Sequence, residues 1–334
     1  MRPRRVAWFG HASGSRADGL STYSREHVVA QTERGITVKF FAHTHDGFVT
    51  PVPHPVMLRA GRFKTVRIPL PGTAARVAME LERFHPDVVH LSLSFSLLDG
   101  WILAECRRRR MPSVVTVHLP YAAPSSARGR VLRELYRFHA RAMLSADRVI
   151  ALSPEQSSLL CSVGCDPSRI TVLPNSIDTA VFAPGVSALR ERLGADFFVA
   201  YAGRLDPEKR VPALVESFRR QPWNSRCALV IAGSGSQERQ VRRAAADDPR
   251  IHLLGTVPSR TEMIDVLRAA DVFVLPSTAE GVSLSLLEAM ATGLPCVASD
   301  IGGNQDLLGP GGTGVLVPGA APERWAEALI GLLA

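Results

Sequence analysis

Short, continuous apolar runs alternate along the chain with longer segments of mixed polarity. The runs are rich in Val, Ile, Leu and Phe and lack a polar face, which is typical of strands buried on both sides of a parallel sheet. In the first half of the chain these runs are 6–9, 38–41, 88–91, 114–117 and 148–152, and helical segments such as 73–84 and 97–109 lie between them. This strand and helix alternation predicts a doubly wound α/β sheet.

The same rhythm then repeats. Strands are predicted at 198–201, 228–231, 251–254, 272–275 and 295–298, and helices at 211–220, 237–246, 260–269 and 284–291. A chain of 334 residues is long enough for two domains with separate cores. Because Pro and Gly punctuate residues 182–185, we predict two facing Rossmann-like domains of the α/β class, at 1–184 and 185–334. Ligands of such domains bind at the carboxyl ends of the strands, so we expect the site in the cleft between them.

The lengths of the apolar runs and the cysteine content indicate the cellular compartment of the protein. No apolar run approaches the roughly 20 residues that span a bilayer, and residues 1–5 lead directly into a strand without the apolar core of a signal peptide. The five cysteines are scattered, odd in number and without paired metal-type spacing. We therefore expect a cytoplasmic protein without a disulfide or a zinc site.

The charge is distributed unevenly between the two halves. Residues 1–175 contain 24 Lys and Arg against 13 Asp and Glu, whereas residues 176–334 contain 15 against 18. A basic first half could attract a nucleic acid, an anionic membrane surface or an acidic acceptor. However, only Lys39, Lys64 and Lys209 are lysines among the 39 basic residues. A general preference for Arg, with a solvated basic surface, is therefore favoured over a binding patch as the explanation of the charge.

Two glutamates, Glu280 and Glu288, are separated by seven residues after the strand predicted at 272–275. Carboxylates accept hydrogen bonds from sugar hydroxyls, while the free N–H groups of a helix N-terminus suit an anion. The segment from Glu280 to the helix predicted at 284–291 combines both features. A nucleotide sugar has both hydroxyls and phosphates, and it is the ligand that this segment favours.

Two cations follow the strand predicted at 198–201. Gly203 and Arg204 come directly after this strand, and Lys209 follows within the same loop. A glycine with two cations at a strand end is the pattern expected of a pyrophosphate clamp. A lysine in this Arg-rich chain indicates a preference for a compact point charge.

Two further strand ends carry candidates. The loop after the first strand ends at a helix near Gly19, whose N-terminus could face a phosphate. His118 follows the strand predicted at 114–117; a single histidine is commonly structural, but this is also where ligands bind. The sequence has no Asp-x-Asp pair that would hold a metal ion against a diphosphate.

Together these segments resemble the family 4 retaining glycosyltransferases, which have the two-domain GT-B fold. Residues 280–288 look like the Glu-x7-Glu motif of that family, and 203–209 look like its Gly-Arg-x4-Lys phosphate motif. Residues 146–153, 170–178 and 294–303 also match stretches seen throughout the family. The resemblance runs from Gly19 to about Glu327.

The resemblance implies a role for each candidate. Glu280 would hold the hydroxyls of the donor sugar, Glu288 those of the ribose, and Arg204 and Lys209 the diphosphate. His118 would contact a sugar hydroxyl near the reacting carbon. The donor-binding set also contains Gly19, Gly203, Gly281, Val282, Ser283 and Leu284.

Some residues depart from the family pattern. Asp18 stands where many relatives have Gly, and Arg210 stands where Gly commonly follows the lysine. Ser283 and Ser285 replace a frequent Gly and Pro. Asp18 would either repel a phosphate or bind the acceptor.

The resemblance implies a retaining transfer from a nucleoside diphosphate sugar, UDP by default, with no cofactor or metal and no nucleic acid partner. The acceptor side is expected in residues 43–75 and 119–133, which carry no recognisable motif. A sugar, a small molecule or a lipid-linked phosphate all remain open as acceptors, the last with peripheral contact to an anionic membrane. Two alternatives are a sugar-nucleotide epimerase or hydrolase on the same fold and a non-catalytic carbohydrate or nucleotide-sugar binding protein.

Overall fold

The protein consists of two compact units, residues 1–174 and 175–334, each built around its own parallel sheet. The structure is a computed structural model. It describes residues 4–11, 19–43, 55–63, 66–93, 96–118, 143–220, 226–246, 248–257, 259–309, 311–319 and 321–331.

The first unit contains a seven-stranded parallel sheet of order β3-β2-β1-β6-β7-β8-β9. Its strands are β1 (Arg5–Gly10), β2 (Thr37–His43), β3 (Val56–Leu58), β6 (Val88–Ser92), β7 (Ser113–Thr116), β8 (Arg148–Ala151) and β9 (Ile170–Val172). A separate antiparallel hairpin consists of β4 (Ala60–Phe63) and β5 (Val66–Pro69). The helices are α1 (Gly19–Glu33), α2 (Thr73–Phe84), α3 (Leu97–Arg109) and α4 (Pro154–Ser162).

The second unit contains a six-stranded parallel sheet of order β12-β11-β10-β13-β14-β15. Its strands are β10 (Phe197–Ala202), β11 (Cys227–Ala232), β12 (Ile251–Gly255), β13 (Val272–Leu275), β14 (Cys296–Ser299) and β15 (Gly314–Val317). Its helices are α5 (Ala188–Leu193), α6 (Val211–Arg219), α7 (Glu238–Ala245), α8 (Arg260–Ala269), α9 (Leu284–Ala291), α10 (Gly302–Leu308) and α11 (Pro322–Gly331). A 3₁₀ turn, Pro207–Lys209, precedes α6.

The spacing of apolar residues along the helices determines which helix face packs against the core. In α2, the buried residues Val77, Leu81 and Phe84 recur at helical spacing and turn one face towards the core. The helix α3 begins with a capping box, in which Ser96 and Asp99 satisfy each other's backbone N–H groups. All four residues of β13 are buried, as its continuous apolar sequence predicts. Within the described residues, no helix is long and apolar enough to cross a membrane.

The predicted α/β class with two Rossmann-like halves is confirmed. The predicted bounds of α2, α3, α8, α9 and β13 agree with the structure. The short strands β3, β4, β9 and β15 and the short helix α5 were not predicted, because runs of three to six residues give little periodic signal. The five cysteines are all free.

The division between the units lies between Pro174 and Asn175, ahead of the predicted boundary at 184/185. Phe182 is 2% exposed and belongs to the core of the second unit. The amide Nδ2 of Asn175 donates to the carbonyl oxygen of Val282 at 2.7 Å. The segment before the Pro and Gly residues is therefore attached to the second unit by packing that a turn signal does not reveal.

A close backbone approach at the end of β11 yields a stability prediction. Gly233 has a φ of +143°, and a Cβ built there would lie 1.8 Å from the carbonyl oxygen of Gly203. We expect Gly233→Ala to lower the free energy of unfolding by roughly 2 kcal/mol or more, because the backbone of one of two neighbouring loops must move. Urea unfolding followed by circular dichroism measures this change. Gly331→Ala is the matched control, because a Cβ there meets no atom within 4 Å; equal unfolding midpoints for the two variants would contradict this account.

Candidate functional site

In the second unit, most of the predicted donor-binding residues lie on two neighbouring loops, and Leu284 and Glu288 lie on α9. The strands β10 and β13 pair in parallel, so the loops that follow them emerge at the same edge of the sheet. The loop after β10 carries Gly203, Arg204 and Lys209, and the loop after β13 carries Glu280. The structure thus brings together the candidate cations and the first candidate carboxylate.

Two contacts join these loops. The backbone N–H of Thr278 donates to the carbonyl oxygen of Glu208 at 2.7 Å. The Nζ of Lys209 forms an ion pair with Oε1 of Glu280, and their side chains are only 14% and 9% exposed. The sequence assigned these two side chains to different parts of the donor, whereas the structure pairs them with each other.

The same carboxylate oxygen has a second partner. The hydroxyl of Ser277 donates to Oε1 of Glu280 at 2.6 Å. Within the described residues, Oε2 of Glu280 has no hydrogen-bond partner. One oxygen is therefore fixed by two donors, and the other is available to accept a hydrogen bond from a ligand.

Arg204 is oriented by two carboxylates of its own loop. Its Nη1 pairs with Asp206, and its Nη2 donates to Oε1 of Glu208 at 3.0 Å. Asp206 is held in turn by Ser236, whose backbone N–H and hydroxyl donate to Oδ1 at 3.0 and 2.8 Å. The Arg204 side chain is still 54% exposed, so its guanidinium is accessible to an anion.

Tyr201 supports the backbone of this loop. Its hydroxyl donates to the carbonyl oxygen of Arg204 at 2.7 Å. Burial, assisted by the negative charge of Glu280, holds the pKa of the Tyr201 phenol well above its usual range. Gly203 is required in this loop because a Cβ there would lie 2.9 Å from the Tyr201 hydroxyl oxygen.

The turn from Gly281 to Ser283 leads into α9, where Ser283 is the N-cap residue. The contact from Asn175 to the carbonyl oxygen of Val282 supports one side of this turn. On the other side, a Cβ at Gly303 would lie 1.8 Å from the carbonyl oxygen of Gly281. This close approach explains the glycine at the start of α10. Leu284 is the first residue of α9, and Glu288 lies on the same helix, partly buried.

Arg210 occupies a left-handed backbone conformation, with a φ of +53°. Such a conformation costs a residue with a Cβ roughly 1–2 kcal/mol relative to its usual region. The family commonly has Gly at this position, and the structure gives the physical reason. Burial also lowers the pKa of the Arg210 guanidinium.

In the first unit, His118 belongs to a cluster of aromatic rings and histidines. Its ring lies edge-on to Tyr23 at 4.5 Å and to His11 at 6.2 Å between ring centroids. Beside it, Trp8 stacks on His90 at 3.9 Å. The cluster, which also contains His27, joins the interior of β1 and β6 and the end of β7 to α1.

Thr116 links this cluster through its hydroxyl. Its Oγ1 lies 2.8 Å from Nε2 of His90 and 3.3 Å from the hydroxyl of Tyr23. Within the described residues, Nε2 of His118 has no hydrogen-bond partner. This nitrogen is buried, and its hydrogen-bonding capacity is unused among these residues.

Burial lowers the pKa of three of these histidines. The pKa of His90 falls to about 3, with the charge of His27 as a second cause. The pKa of His118 lies well below its usual value because of burial and then because of the neighbouring His11, His90 and His27. The pKa of His27 is also lowered by burial. The rings of all three are neutral at pH 7.

The remaining residues that the sequence singled out are placed as follows. Gly19 is the first residue of α1, as predicted, whereas Asp18 lies outside the described residues. His43 is buried in β2. Much of the expected acceptor side, including residues 44–54 and 119–133, also lies outside the described part of the chain. Among the residues described, no group of three or more His, Cys, Asp or Glu could hold a metal ion.

Sequence reasoning missed several residues that position the site: Tyr201, Asp206, Glu208, Ser277, Tyr23 and His90. Ser277 and Thr278 lie in the loop directly after β13, so a search of every polar residue at a strand end could have found them. Asp206 and Glu208 both lie between the two cations along the sequence, which is a signal of local ion pairs. No sequence signal pairs Lys209 with Glu280 across 71 positions.

Two family models match this chain. The model described as "Glycosyltransferase Family 4" matches residues 17–181, and the model described as "Glycosyl transferases group 1" matches residues 196–334.

The sequences of curated relatives align with most of the chain. A D-inositol 3-phosphate glycosyltransferase from Nocardia farcinica is 31% identical over 95% of this chain and 77% of its own length. Another, from Kineococcus radiotolerans, is 33% identical over 95% of this chain and 82% of its own length.

Solved structures show the same fold at lower identity. A sucrose-phosphate synthase from Thermosynechococcus elongatus has a TM-score of 0.78 at 23% identity, covering 99% of this chain and 90% of that one. Anabaena HepE in complex with UDP and glucose has a TM-score of 0.77 at 18% identity, with the same coverage. These likenesses confirm the GT-B type of fold.

The buried histidines predict loss of stability in acid. A histidine whose pKa is lower in the folded protein contributes stability that is present above its unfolded pKa of about 6.5 and is lost as the pH falls. At pH 5, the loss is about 2 kcal/mol for each histidine that stays unprotonated in the folded protein, and His90 meets this condition. Urea midpoints at pH 7.5 and 5 should therefore differ less in His90→Gln than in the unaltered protein. The control is His85→Asn, which replaces an exposed histidine at the end of α2; an equal effect of the two substitutions would contradict the assignment.

Proposed function

The chain belongs to glycosyltransferase family 4, and from this membership we propose that it transfers a sugar from a UDP-linked donor to a hydroxyl of a phosphorylated polyol. In this proposal the anomeric configuration is retained and no metal ion is required. The observation that carries the proposal is the arrangement around Glu280. One oxygen of this carboxylate is fixed by Lys209 and Ser277, while the other is open to a sugar hydroxyl.

The donor would bind along the edge formed by the loops after β10 and β13. Lys209 and Arg204 would hold the diphosphate, since a compact ammonium and a planar guanidinium both suit phosphate oxygens. The free N–H groups at the start of α9, after Gly281, Val282 and Ser283, add a positive dipole end. Glu280 would accept from the sugar and Glu288 from the ribose. The complexes of Anabaena HepE with UDP and with UDP-glucose support UDP as the first nucleotide to test.

The proposed reaction breaks the bond between the anomeric carbon and the diphosphate oxygen. The acceptor hydroxyl forms the new bond on the same face of the sugar, and its proton passes to the leaving phosphate oxygen. Negative charge therefore grows on the departing diphosphate, next to Arg204 and Lys209. Such preorganised charges typically contribute about 3–4 kcal/mol each to lowering the barrier. A neutral His118 would donate or accept one hydrogen bond at the sugar without adding charge.

The charge of the first unit supports an anionic acceptor. Residues 1–175 carry 24 basic against 13 acidic side chains. In the β4–β5 hairpin, Arg62 pairs with Arg67 in the backbone register of the two strands. The curated relatives are named for inositol 3-phosphate, a polyol that carries a phosphate. Contact with an anionic membrane stays a prediction that the same charge supports.

The donor assignment predicts different effects of the two glutamates. We expect Glu288→Gln to weaken binding of free UDP about ten-fold, since a charged hydrogen-bond partner of the ribose is lost. The corresponding change Glu280→Gln should leave the affinity for UDP within about two-fold and weaken the binding of UDP-glucose instead. Isothermal titration calorimetry of both ligands, in buffer with excess EDTA, measures the difference.

Equal losses of UDP affinity in both variants would refute this division of roles. A requirement for added magnesium or manganese would refute the metal-free clamp. Release of UDP from UDP-glucose at the same rate with and without acceptor would favour a hydrolase over a transferase.

The acceptor assignment predicts a preference for phosphate. With UDP-glucose as donor, we expect inositol 3-phosphate to have a kcat/KM at least about ten-fold above that of unphosphorylated inositol at low salt. The preference should shrink as salt rises, because exposed charges are screened beyond about 8–10 Å at ordinary ionic strength. A coupled assay of UDP release across a salt series gives both values. Equal use of the two polyols at every salt concentration would leave the Arg preference of the chain as the explanation of its charge.

A further inference from the structure

Ser277 is a buried hydroxyl that the family motifs do not use. It follows β13 by two positions and is 0% exposed. Its hydroxyl donates to Oε1 of Glu280 at 2.6 Å, a short distance typical of a bond to an ionised carboxylate. A serine that is fully buried and directed at a candidate sugar-binding group is placed to control the orientation of that group.

The oxygen that accepts from Ser277 also accepts from Lys209. In the proposed function, Lys209 binds the diphosphate, and its ammonium shifts its hydrogen bonding from Glu280 towards the phosphate oxygens. Ser277 has no such second task. Its hydroxyl would be the remaining donor that holds Oε1 while the other oxygen, Oε2, accepts from the sugar.

We propose that Ser277 is a positioning residue that fixes Glu280 for the donor sugar after Lys209 has engaged the diphosphate. This inference rests on the proposed function, because it needs a donor with both a diphosphate and a sugar. It predicts that the contribution of Ser277 is visible only when the sugar is present. UDP alone reaches Lys209 without needing Glu280 in place.

The neighbouring strand provides a matched control. Ser299 lies at the end of β14, which pairs with β13, and it is 4% exposed. Within the described residues, its hydroxyl has no hydrogen-bond partner. Ser299→Ala therefore removes the same atom from the same edge of the sheet without affecting a contact to Glu280.

The test is calorimetric titration of UDP and of UDP-glucose into the unaltered protein, Ser277→Ala and Ser299→Ala. We expect Ser277→Ala to keep its UDP affinity within about two-fold and to lose UDP-glucose affinity by about ten-fold, since a hydrogen bond to a charged group is removed. Ser277→Cys, which keeps the size of the side chain but donates weakly, should fall between. Ser299→Ala should match the unaltered protein with both ligands.

Three other titration results would overturn the role of Ser277, and they differ in what they imply for the proposed function. Equal UDP-glucose affinities in Ser277→Ala and Ser299→Ala would overturn the inference and leave the proposed function intact. Parallel losses of UDP and UDP-glucose affinity in Ser277→Ala would show a general structural role and would also overturn it. Failure of the unaltered protein to bind either ligand would refute the UDP-linked donor, and with it the role of Ser277.

Discussion

The candidate site of the second unit is organised around the ion pair between Lys209 and Glu280. Both side chains are largely buried, and removing one charge from a buried pair is far more destabilising than keeping both. The pair therefore holds the loops after β10 and β13 together, with the Thr278 to Glu208 hydrogen bond beside it. Lys209 and Glu280 are also the residues proposed to bind the diphosphate and the sugar, respectively. A ligand that offers Lys209 a phosphate and Glu280 a hydroxyl replaces one set of charge contacts with another, so neither group is left buried and unpaired.

Close approaches between backbone segments restrict the positions of the loops that carry Lys209 and Glu280. Gly203, Gly233 and Gly303 each sit where a side chain would collide with a neighbouring atom. At Gly303 this atom is the carbonyl oxygen of Gly281, directly after Glu280, so the start of α10 supports the turn that presents the carboxylate. In the first unit the constraint is burial instead. The histidines around Trp8 are kept neutral, and His118 can therefore offer a hydrogen bond without a charge.

Much of the fold could be predicted from the sequence because its elements are long or continuously apolar. The helices α2, α3, α8 and α9 and the strand β13 have strong patterns, and their predicted bounds agree with the structure. The grouping of Arg204, Lys209 and Glu280 followed from the rule that neighbouring parallel strands end at one edge. Ser277 could have been found as a polar residue at a strand end, but its hydrogen bond to Glu280 could not be predicted. The pairing of Lys209 with Glu280 and the buried state of His43 could not be predicted either, because all three depend on side-chain directions that periodicity does not encode. The boundary between the units was predicted from the Pro and Gly residues at 182–185. Its observed position reflects the packing of Phe182 in the core of the second unit, which a turn pattern does not reveal.

The most direct measurement is a crystal structure of the protein with UDP-glucose bound. We expect that Nζ of Lys209 contacts a phosphate oxygen, that Oε1 of Glu280 still accepts from Ser277, and that Oε2 lies within hydrogen-bond distance of a glucose hydroxyl. A complex in which the nucleotide binds elsewhere, or in which Oε2 of Glu280 makes no contact with the sugar, would contradict this expectation.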